Sequence, residues 1–266
     1  MFSLRRPFNP SGMVVYLTDF GLADDYVGQM HLNLLRLAPG VRPIDLCHTV
    51  PPGDIRSAAF LLKHDAGRLP DGAVVVCVVD PGVGTSREII ALQSERNVFM
   101  APDNGLLSPL RRTFTSSNLY RATLKGSSDP SISRTFHGRD LFTPLAADLA
   151  VNPMSLAEKF EAIDTLEDCC IDPEASGSDL KAEVMWIDRF GNLVTNLPAA
   201  DMRKRSVYVN DRSLRRVQTF SEGREGEFVW LEGSRGTVEI VINSASAADI
   251  SGLSLHDTLL VTGGAG

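Results

Sequence analysis

The most informative part of the sequence is Ala73-Val-Val-Val-Cys-Val-Val-Asp-Pro-Gly-Val-Gly-Thr-Ser-Arg87. Its first part, residues 73–79, is an unbroken apolar run with strong β preference, which is typical of a central strand buried on both faces. Asp80 ends this run, and a Pro and two Gly then turn the chain sharply before Arg87. Ligands bind at the carboxyl ends of the strands in open α/β sheets. The stretch therefore predicts both a central strand and a ligand-binding edge.

Strand-like and helix-like segments alternate on both sides of this stretch. The apolar patterns predict strands at 14–18, 41–47, 88–92, 97–101 and 118–122, and helices at 25–37, from Asp54 onward and near 140–150. Such alternation predicts an α/β domain over residues 13–170, with a mostly parallel sheet wrapped by helices. Residues 1–12 lack the apolar segment of a signal peptide and are predicted to be a flexible lead-in.

The composition changes after residue 170. A segment rich in Pro, Gly and Ser, residues 171–180, is typical of a linker. Beyond it, turn residues separate short strand-like runs at 182–187, 206–209, 215–219, 227–231, 237–242 and 258–262. This spacing predicts a smaller all-β domain over residues 181–266, either barrel-like or a sandwich.

Composition and charge exclude several classes of function. The chain has 266 residues and a net charge of −7, whereas a nucleic-acid surface normally carries a basic stripe. No apolar run approaches the roughly 18 residues of a transmembrane helix, so no membrane partner is expected. The cysteines show no metal or disulfide spacing, which suggests a reducing cytoplasm. The histidines form no metal-binding pair, so no metal is predicted, although a dispersed carboxylate site for Mg²⁺ stays open.

The glycine-rich turn does not fit a nucleotide-phosphate site. A dinucleotide fingerprint needs a third Gly where Arg87 stands, and no G-x-x-x-x-G-K-[ST] motif occurs. No G-x-S-x-G elbow supports a serine nucleophile. A tight turn accounts for the glycines, but it gives no reason for Asp80 and Arg87 to frame them. Taken singly, Asp19 is typical of a helix cap, His137 of a structural histidine and Asp188 of a hairpin turn.

The order of the motifs changes this interpretation. The chain carries Thr18-Asp-Phe-Gly21, Asp80-Pro-Gly-Val-Gly-Thr-Ser-Arg87, Ala101-Pro-Asp-Asn-Gly-Leu-Leu107, Thr135-Phe-His-Gly-Arg-Asp140 and Asp188-Arg-Phe-Gly-Asn-Leu-Val-Thr-Asn196. Together, and over residues 13–263, they resemble the S-adenosyl-L-methionine (SAM) hydroxide adenosyltransferases, which are adenosine-forming SAM hydrolases. These enzymes are related to fluorinating and chlorinating enzymes that also attack SAM.

The resemblance implies an activity and three catalytic residues. A water, activated as hydroxide, displaces methionine from C5′ of SAM and yields adenosine and L-methionine. By motif, Asp80, Arg87 and His137 hold this nucleophile. The permanent charge of Arg87 favours the hydroxide form, and Asp80 or His137 accepts its proton or orients it. Which of the two holds the proton is open at this stage.

The resemblance also implies substrate contacts and an assembly. It matches Asp19 to the acid that binds the ribose hydroxyls and Asp24 to an acid near the methionine ammonium. The groups at the methionine end match Asp188 and Asn192, while the adenine contacts match Asn243 and Ala247. SAM is the substrate, so no cofactor is expected. The expected assembly is a homotrimer with each SAM between two subunits.

Two other functions are compatible with this pattern. One is a SAM-dependent halogenase, although halogenating relatives carry a neutral side chain at the position of Asp80 and a Ser at the position of Gly138. A carboxylate at Asp80 repels a halide but can bind water, which favours hydrolysis. The other is a sensor that binds SAM or adenosine without turnover. A strand-end acid facing an arginine argues against it.

Overall fold

The computed structural model describes residues 8–123, 130–177, 179–209 and 212–263. The chain divides into two compact units, Met1–Cys170 and Ile171–Gly266. Most of the predicted flexible lead-in, residues 1–7, lies outside the described residues. The prediction does not hold for residues 8–12, because Phe8 is buried in the core of the first unit and the Ser11 N–H donates to the Gly72 carbonyl at 2.9 Å.

The first unit is built on one seven-stranded sheet with the order β2-β1-β3-β5-β4-β6-β7. Its strands are β1 (Met13–Thr18), β2 (Arg42–Cys47), β3 (Ala73–Val78), β4 (Ile89–Gln93), β5 (Val98–Pro102), β6 (Asn118–Ala122) and β7 (Phe160–Ile163). Every residue of β3 is buried, as its continuous apolar run predicts. Asp80 lies two residues after Val78, the last residue of β3, at the carboxyl end of this strand.

Helices connect and cover these strands. They are α1 (Tyr26–Leu37), α2 (Ile55–Asp65), α3 (Ser108–Thr113), α4 (Thr143–Val151) and α5 (Ser155–Lys159). Asp54 caps α2, because its Oδ1 accepts a hydrogen bond from the Ser57 N–H at 3.0 Å. Met30 and Leu34 of α1 and Leu149 of α4 join Tyr16 and Val76 of the sheet in one apolar core.

The sheet is mixed, so the prediction of a mostly parallel sheet is wrong. β2, β1, β3 and β5 run parallel to one another, whereas β4 is antiparallel to both β5 and β6, and β6 is antiparallel to β7. A parallel connection needs about a dozen residues to cross over the sheet. Only the turn at Ser94–Asn97 joins β4 to β5, where the Ser94 N–H donates to the Asn97 carbonyl, so these strands form a hairpin.

The second unit is a nine-stranded sheet with the order β12-β11-β16-β9-β10-β15-β14-β13, and β8 pairs with β9 outside this path. The strands are β8 (Glu174–Ser176), β9 (Asp179–Ile187), β10 (Leu193–Pro198), β11 (Arg205–Val209), β12 (Arg212–Ser213), β13 (Arg215–Arg216), β14 (Phe228–Glu232), β15 (Thr237–Ile242) and β16 (Thr258–Gly263). One short helix, α6 (Ala247–Ser251), follows β15. Residues of β9, β10, β11, β14, β15 and β16 share one apolar core, as in a barrel-like sheet.

Two segments differ from their predicted structure. The predicted linker, residues 171–180, contains β8 and the start of β9, so it contributes to the sheet of the second unit. The sequence pattern also did not predict β10, which directly follows the Asp188–Asn192 turn. In the described ranges, none of the helices has the length and apolar character that crossing a bilayer demands.

Candidate active site

Asp80 and Arg87 form a buried ion pair across the turn that follows β3. The Arg87 Nε and Nη2 both donate to the Oδ2 of Asp80, at 2.9 and 2.5 Å. Only 4% of the Asp80 side chain and 10% of the Arg87 side chain are exposed. The guanidinium also lies 5.7 Å from the ring centroid of Phe142. Two donors on one oxygen hold the carboxylate in a single orientation.

The second oxygen of this carboxylate is free. Asp80 Oδ1 is buried, yet it has no hydrogen-bond partner among the described residues. A buried carboxylate oxygen without a partner is costly, and it is therefore a strong acceptor for any donor that enters. Asp80 is also one of the residues that line a cavity.

His137 extends the ion pair into a chain of three side chains. The Nη2 of Arg87 lies 2.7 Å from the Nδ1 of His137. A guanidinium only donates hydrogen bonds, so Nδ1 is the acceptor and the proton of the neutral ring resides on Nε2. Burial and, next, the positive charge of Arg87 lower the pKa of His137 below its ordinary value. The ring is therefore neutral at pH 7.

A π-helical turn at Gly138–Phe142 orients His137. Its defining hydrogen bond runs from the Thr143 N–H to the Gly138 carbonyl, and the Thr143 hydroxyl donates to the same carbonyl at 2.8 Å. The predicted helix near 140–150 is thus α4 preceded by this wider turn. Such turns occur often at functional sites, and here it begins directly after the histidine.

The glycine turn between Asp80 and Arg87 packs closely against the segment that carries His137. Gly84 has a φ of +79°, and a Cβ at this position would lie 2.4 Å from the carbonyl oxygen of Arg134. Only glycine permits both this backbone conformation and this approach. Gly84 therefore allows the Asp80–Arg87 turn to pack closely against the segment that leads to His137.

Asp19 lies at the end of β1, next to the end of β3 that leads to Asp80. Its Oδ2 accepts a hydrogen bond from the Gly53 N–H at 2.8 Å. Burial raises the pKa of Asp19, and the negative charge of Asp80 raises it further, against the effect of the Gly53 N–H. The two carboxylates thus share one electrostatic environment.

One cavity joins these groups. It has a volume of about 200 Å³ and its lining includes Asp19, Asp80 and His137. Its other lining residues are Phe20, Gly53, Val78, Pro81, Val83, Thr135, Phe136 and Gly138. Of the five residues predicted in this unit, three line one cavity, and Arg87 contacts two of those three.

Aromatic side chains build one wall of the cavity. Phe20 and Phe136 line it, with ring centroids 5.8 Å apart, and Tyr26 packs edge-on against Phe136 at 5.1 Å. Gly138 lies against this wall, because a Cβ there would be 3.1 Å from the Cε2 of Phe20. Asp24, in contrast, is exposed in the turn before α1 and is absent from the cavity lining.

In the second unit, Asp188 and Asn192 hold the turn between β9 and β10. The Oδ1 of Asp188 accepts from the N–H groups of Phe190 and Asn192, both at 2.9 Å. Its Oδ2 accepts from the side-chain amide of Asn192, also at 2.9 Å. These contacts are those of the hairpin turn that the residues suggest when taken singly. They leave the exposed Phe190 at the tip.

A second turn packs against this hairpin and carries Asn243 and Ala247. The Asn243 amide donates to the Gly223 carbonyl at 3.1 Å, and Ala247 is buried at the start of α6. The Ala248 N–H donates to the Gly191 carbonyl at 2.9 Å. The four residues predicted in this unit therefore lie on two adjoining turns.

A cavity of about 420 Å³ in the second unit contains groups that sequence reasoning missed. Asp188 and Phe220 line it, together with Trp186, Arg235 and Glu239. Burial raises the pKa of Glu239, the charge of Asp188 adds to this, and Arg235 opposes it. An acid inside the apolar run of β15 was the available signal, because such a residue is seldom buried without a purpose.

No cluster of three or more His, Cys, Asp or Glu side chains suited to a metal ion occurs within the described parts of the chain. The side chains at the first cavity offer three groups to a reaction: a carboxylate oxygen without a partner among the described residues, a fixed guanidinium and a neutral imidazole.

Comparison with known proteins identifies the family. The chain is 38% identical over 266 residues to an (R)-S-adenosyl-L-methionine hydrolase of Salinispora tropica, covering 96% of this chain and 99% of that protein. It is 39% identical over 251 residues to an enzyme of the same name from Thermus thermophilus, covering 90% of this chain and 95% of that protein. A fluorinase of Nocardia brasiliensis is more distant, at 26% identity over 92% of this chain and 93% of the fluorinase.

A solved structure and two domain profiles agree with these relatives. The crystal structure of an uncharacterized conserved protein from Thermotoga maritima superposes with a TM-score of 0.85 at 28% identity, covering 94% of this chain and 100% of that one. Residues 14–158 match the SAM hydroxide adenosyltransferase N-terminal domain, and residues 182–260 match the C-terminal domain of the same family. The chain belongs to the SAM hydroxide adenosyltransferase family.

Proposed function

We propose that this protein hydrolyses SAM to adenosine and L-methionine by attack of a water-derived oxygen on C5′. One observation carries the proposal: Asp80 lines the cavity, its Oδ2 is held by Arg87, and its buried Oδ1 has no hydrogen-bond partner among the described residues. A carboxylate fixed in this way can accept a proton from a water and aim the water's lone pair.

Asp80 is better suited than His137 to accept the proton. The Nδ1 of His137 already accepts a hydrogen bond from Arg87, and its Nε2 carries the ring proton. His137 therefore acts as a donor that orients the water oxygen. Arg87 holds both neighbours in place and, with its positive charge, stabilises the developing hydroxide.

The proposed reaction is a single displacement. A bond forms between the water oxygen and C5′ while the bond between C5′ and sulfur breaks, and its electron pair goes to sulfur. Methionine leaves as a neutral thioether, so no general acid is needed. The proton of the water passes to Asp80 and from there to solvent. Holding water and C5′ in line contributes on the order of 7–11 kcal/mol to such a reaction.

The charge of the first cavity supports a cationic substrate over a halide. Asp19 and Asp80 contribute two negative charges and Arg87 one positive charge, while His137 is neutral. An excess of negative charge attracts a sulfonium and repels fluoride or chloride. Halogenation is therefore the less favoured alternative for this chain.

The family resemblance also proposes a contact with SAM for several residues in each of the two units. Asp19 presents a carboxylate to the first cavity, which suits the ribose hydroxyls. Asp188 lines the second cavity with Arg235, and an acid beside a cation suits the zwitterionic end of methionine. Asn192 supports that turn, while Asn243 and Ala247 are proposed for adenine. Asp24, which is exposed in the turn before α1, is proposed to approach the methionine ammonium.

We propose that the active form is a cytoplasmic homotrimer that uses no cofactor, with each site shared by the first domain of one subunit and the second domain of its neighbour. The first cavity supports this, because 200 Å³ is less than the roughly 300–1,000 Å³ of a complete small-molecule site. The test mixes Asp80→Asn with Asp188→Ala subunits after reversible dissociation. Shared sites recover about a quarter of wild-type activity at equal mixing, since half of each domain type is intact. Sites within one subunit recover none.

The test of the reaction is incubation of the purified protein with SAM in oxygen-18 water, followed by liquid chromatography and mass spectrometry. Adenosine labelled at its 5′ oxygen, with free methionine, is the expected result. Unlabelled adenosine would contradict attack of water at C5′. SAM that binds and persists would instead favour the sensor function.

A further inference from the structure

The strand order brings a third loop between the two ends of the turn that carries Asp80 and Arg87. Asp80 follows β3, Arg87 precedes β4, and β5 lies between these strands in the sheet. The register places Pro102, the last residue of β5, opposite Ile89. The turn that follows β5, Asp103–Gly105, therefore reaches both ends of the Asp80–Arg87 turn.

Asn104 holds the end that leads into Asp80. Its Nδ2 donates to the carbonyl of Val79 at 2.9 Å, and its Oδ1 accepts from the Leu106 N–H at 3.3 Å. Val79 is fully buried and lies just past the last residue of β3. A buried carbonyl beyond the strand needs a donor, and Asn104 supplies one.

Asp103 holds the other end through its backbone. Its N–H donates to the carbonyl of Glu88 at 3.0 Å, immediately after Arg87. Its Oδ1 also accepts from the Glu167 N–H at 2.9 Å. The turn itself is thus fixed.

Close packing prevents the turn from moving away. Gly105 has a φ of +95°, and a Cβ there would lie 2.8 Å from both the carbonyl oxygen of Asp168 and the Cβ of Cys169. The 168–169 segment therefore presses against the Asp103–Gly105 turn on the side of Gly105. A rigid support of this kind is what precise positioning requires.

We propose that Asn104 is a positioning residue for the hydrolysis proposed above, on which this inference rests. By fixing the Val79 carbonyl, Asn104 sets the direction in which Asp80 leaves the strand. That direction keeps Oδ2 on Arg87 and leaves Oδ1 available to accept a hydrogen bond. Asn104 is not among the residues that line the cavity, so its proposed role is exerted through Asp80 and not through contact with the substrate. Its contribution is expected in the rate of the chemical step and not in SAM binding.

The test compares Asn104→Asp and Asn104→Ala with a matched control, Asn196→Asp. Asn104→Asp keeps the acceptor for Leu106 and replaces the donor with a second acceptor. Asn196 makes the same pair of bonds in the second unit, since its Nδ2 donates to the Ile171 carbonyl at 3.1 Å and its Oδ1 accepts from Glu183 at 2.8 Å. Asn196→Asp thus removes an equivalent donor.

Both Asn104 variants are expected to lose about 10- to 100-fold in kcat, with KM for SAM within about 3-fold of wild type. Asn196→Asp is expected to lower Tm comparably and to leave kcat within about 3-fold. A folded Asn104→Asp protein with wild-type kcat would overturn the proposal. So would a kcat loss matched by the control at the same loss of Tm.

A crystal structure of the Asn104→Ala protein separates this proposal from the proposed function. If wild type fails to hydrolyse SAM, the proposed function is wrong, and the positioning role is then judged from the Asp80 contacts alone. Displacement of Asp80 from Arg87 supports that role. Unchanged hydrogen bonds at 2.9 and 2.5 Å between these residues would refute it.

Discussion

Asp80→Asn tests the site most directly, because it removes one charge with almost no change of shape. In wild type, Oδ2 of Asp80 accepts both hydrogen bonds from Arg87, and Oδ1 has no partner within the described ranges. An amide in this place is a far weaker proton acceptor. Loss of a general base typically costs 10²–10⁴-fold, so kcat is expected to fall by about that factor while KM for SAM changes by less than about 3-fold.

The same substitution is expected to destabilise the protein. With 90% of its side chain buried, Arg87 keeps its charge but loses its counter-ion, and breaking a buried pair in this way costs about 3–5 kcal/mol. The double variant Asp80→Asn/Arg87→Gln removes both charges. It is expected to regain most of the stability and none of the activity.

Two assays measure these effects: adenosine release at saturating SAM, and the free energy of unfolding from denaturant titration. Single-turnover kinetics separate the chemical step from product release. An Asp80→Asn protein that retains kcat within about 3-fold would refute Asp80 as the proton acceptor. A double variant as unstable as Asp80→Asn would refute the account of the buried charge.

Three further results are expected. Burial and then Arg87 lower the pKa of His137 below 6.5, so its contribution to stability is full above that pH and is lost as pH falls through the folded-state pKa. The kcat/KM of wild type should fall in the same direction, and His137→Gln should lack this acid limb. Gly84→Ala should lower the free energy of unfolding by at least about 1–2 kcal/mol and remove most activity, because of its positive φ and the nearby Arg134 carbonyl. Gly82→Ala should be tolerated, because its Cβ would meet no described atom nearer than 3.4 Å. Adding fluoride or chloride to SAM should yield no 5′-halo-adenosine by mass spectrometry; its appearance would restore the halogenase function.

The central strand and its terminal acid were predictable because their signals are local. An apolar run followed by Asp-Pro-Gly indicates a buried strand and a turn without knowledge of any partner. The cap at Asp54 and strand β15 were predictable for the same reason. The assembly of Asp80, Arg87 and His137 was predicted only from the family resemblance, since 50 residues separate Arg87 from His137.

Pairing direction and long-range support were not predictable in the same way. The antiparallel hairpin of β4 and β5 depends on the short turn at Ser94–Asn97, a signal that was present but outweighed by the alternation of strands and helices. The bond from Asn104 to Val79 joins positions 25 apart and leaves no periodic trace. Asp19 and Asp24 were both assigned by motif, and of the two only Asp19 lines the first cavity.

Because β5 lies between β3 and β4, the two ends of the Asp80–Arg87 turn are held apart by the sheet, whereas its middle is not. Two interstrand spacings, about 9–10 Å, fix how far apart the turn must begin and end. Thr85 and Ser86 at the tip are exposed. Substitutions at these two exposed positions can therefore introduce new side chains while the sheet still holds the two ends of the turn. Because β5 fixes the distance between these ends, insertions and deletions within residues 80–87 are expected to disturb the turn far more than substitutions do.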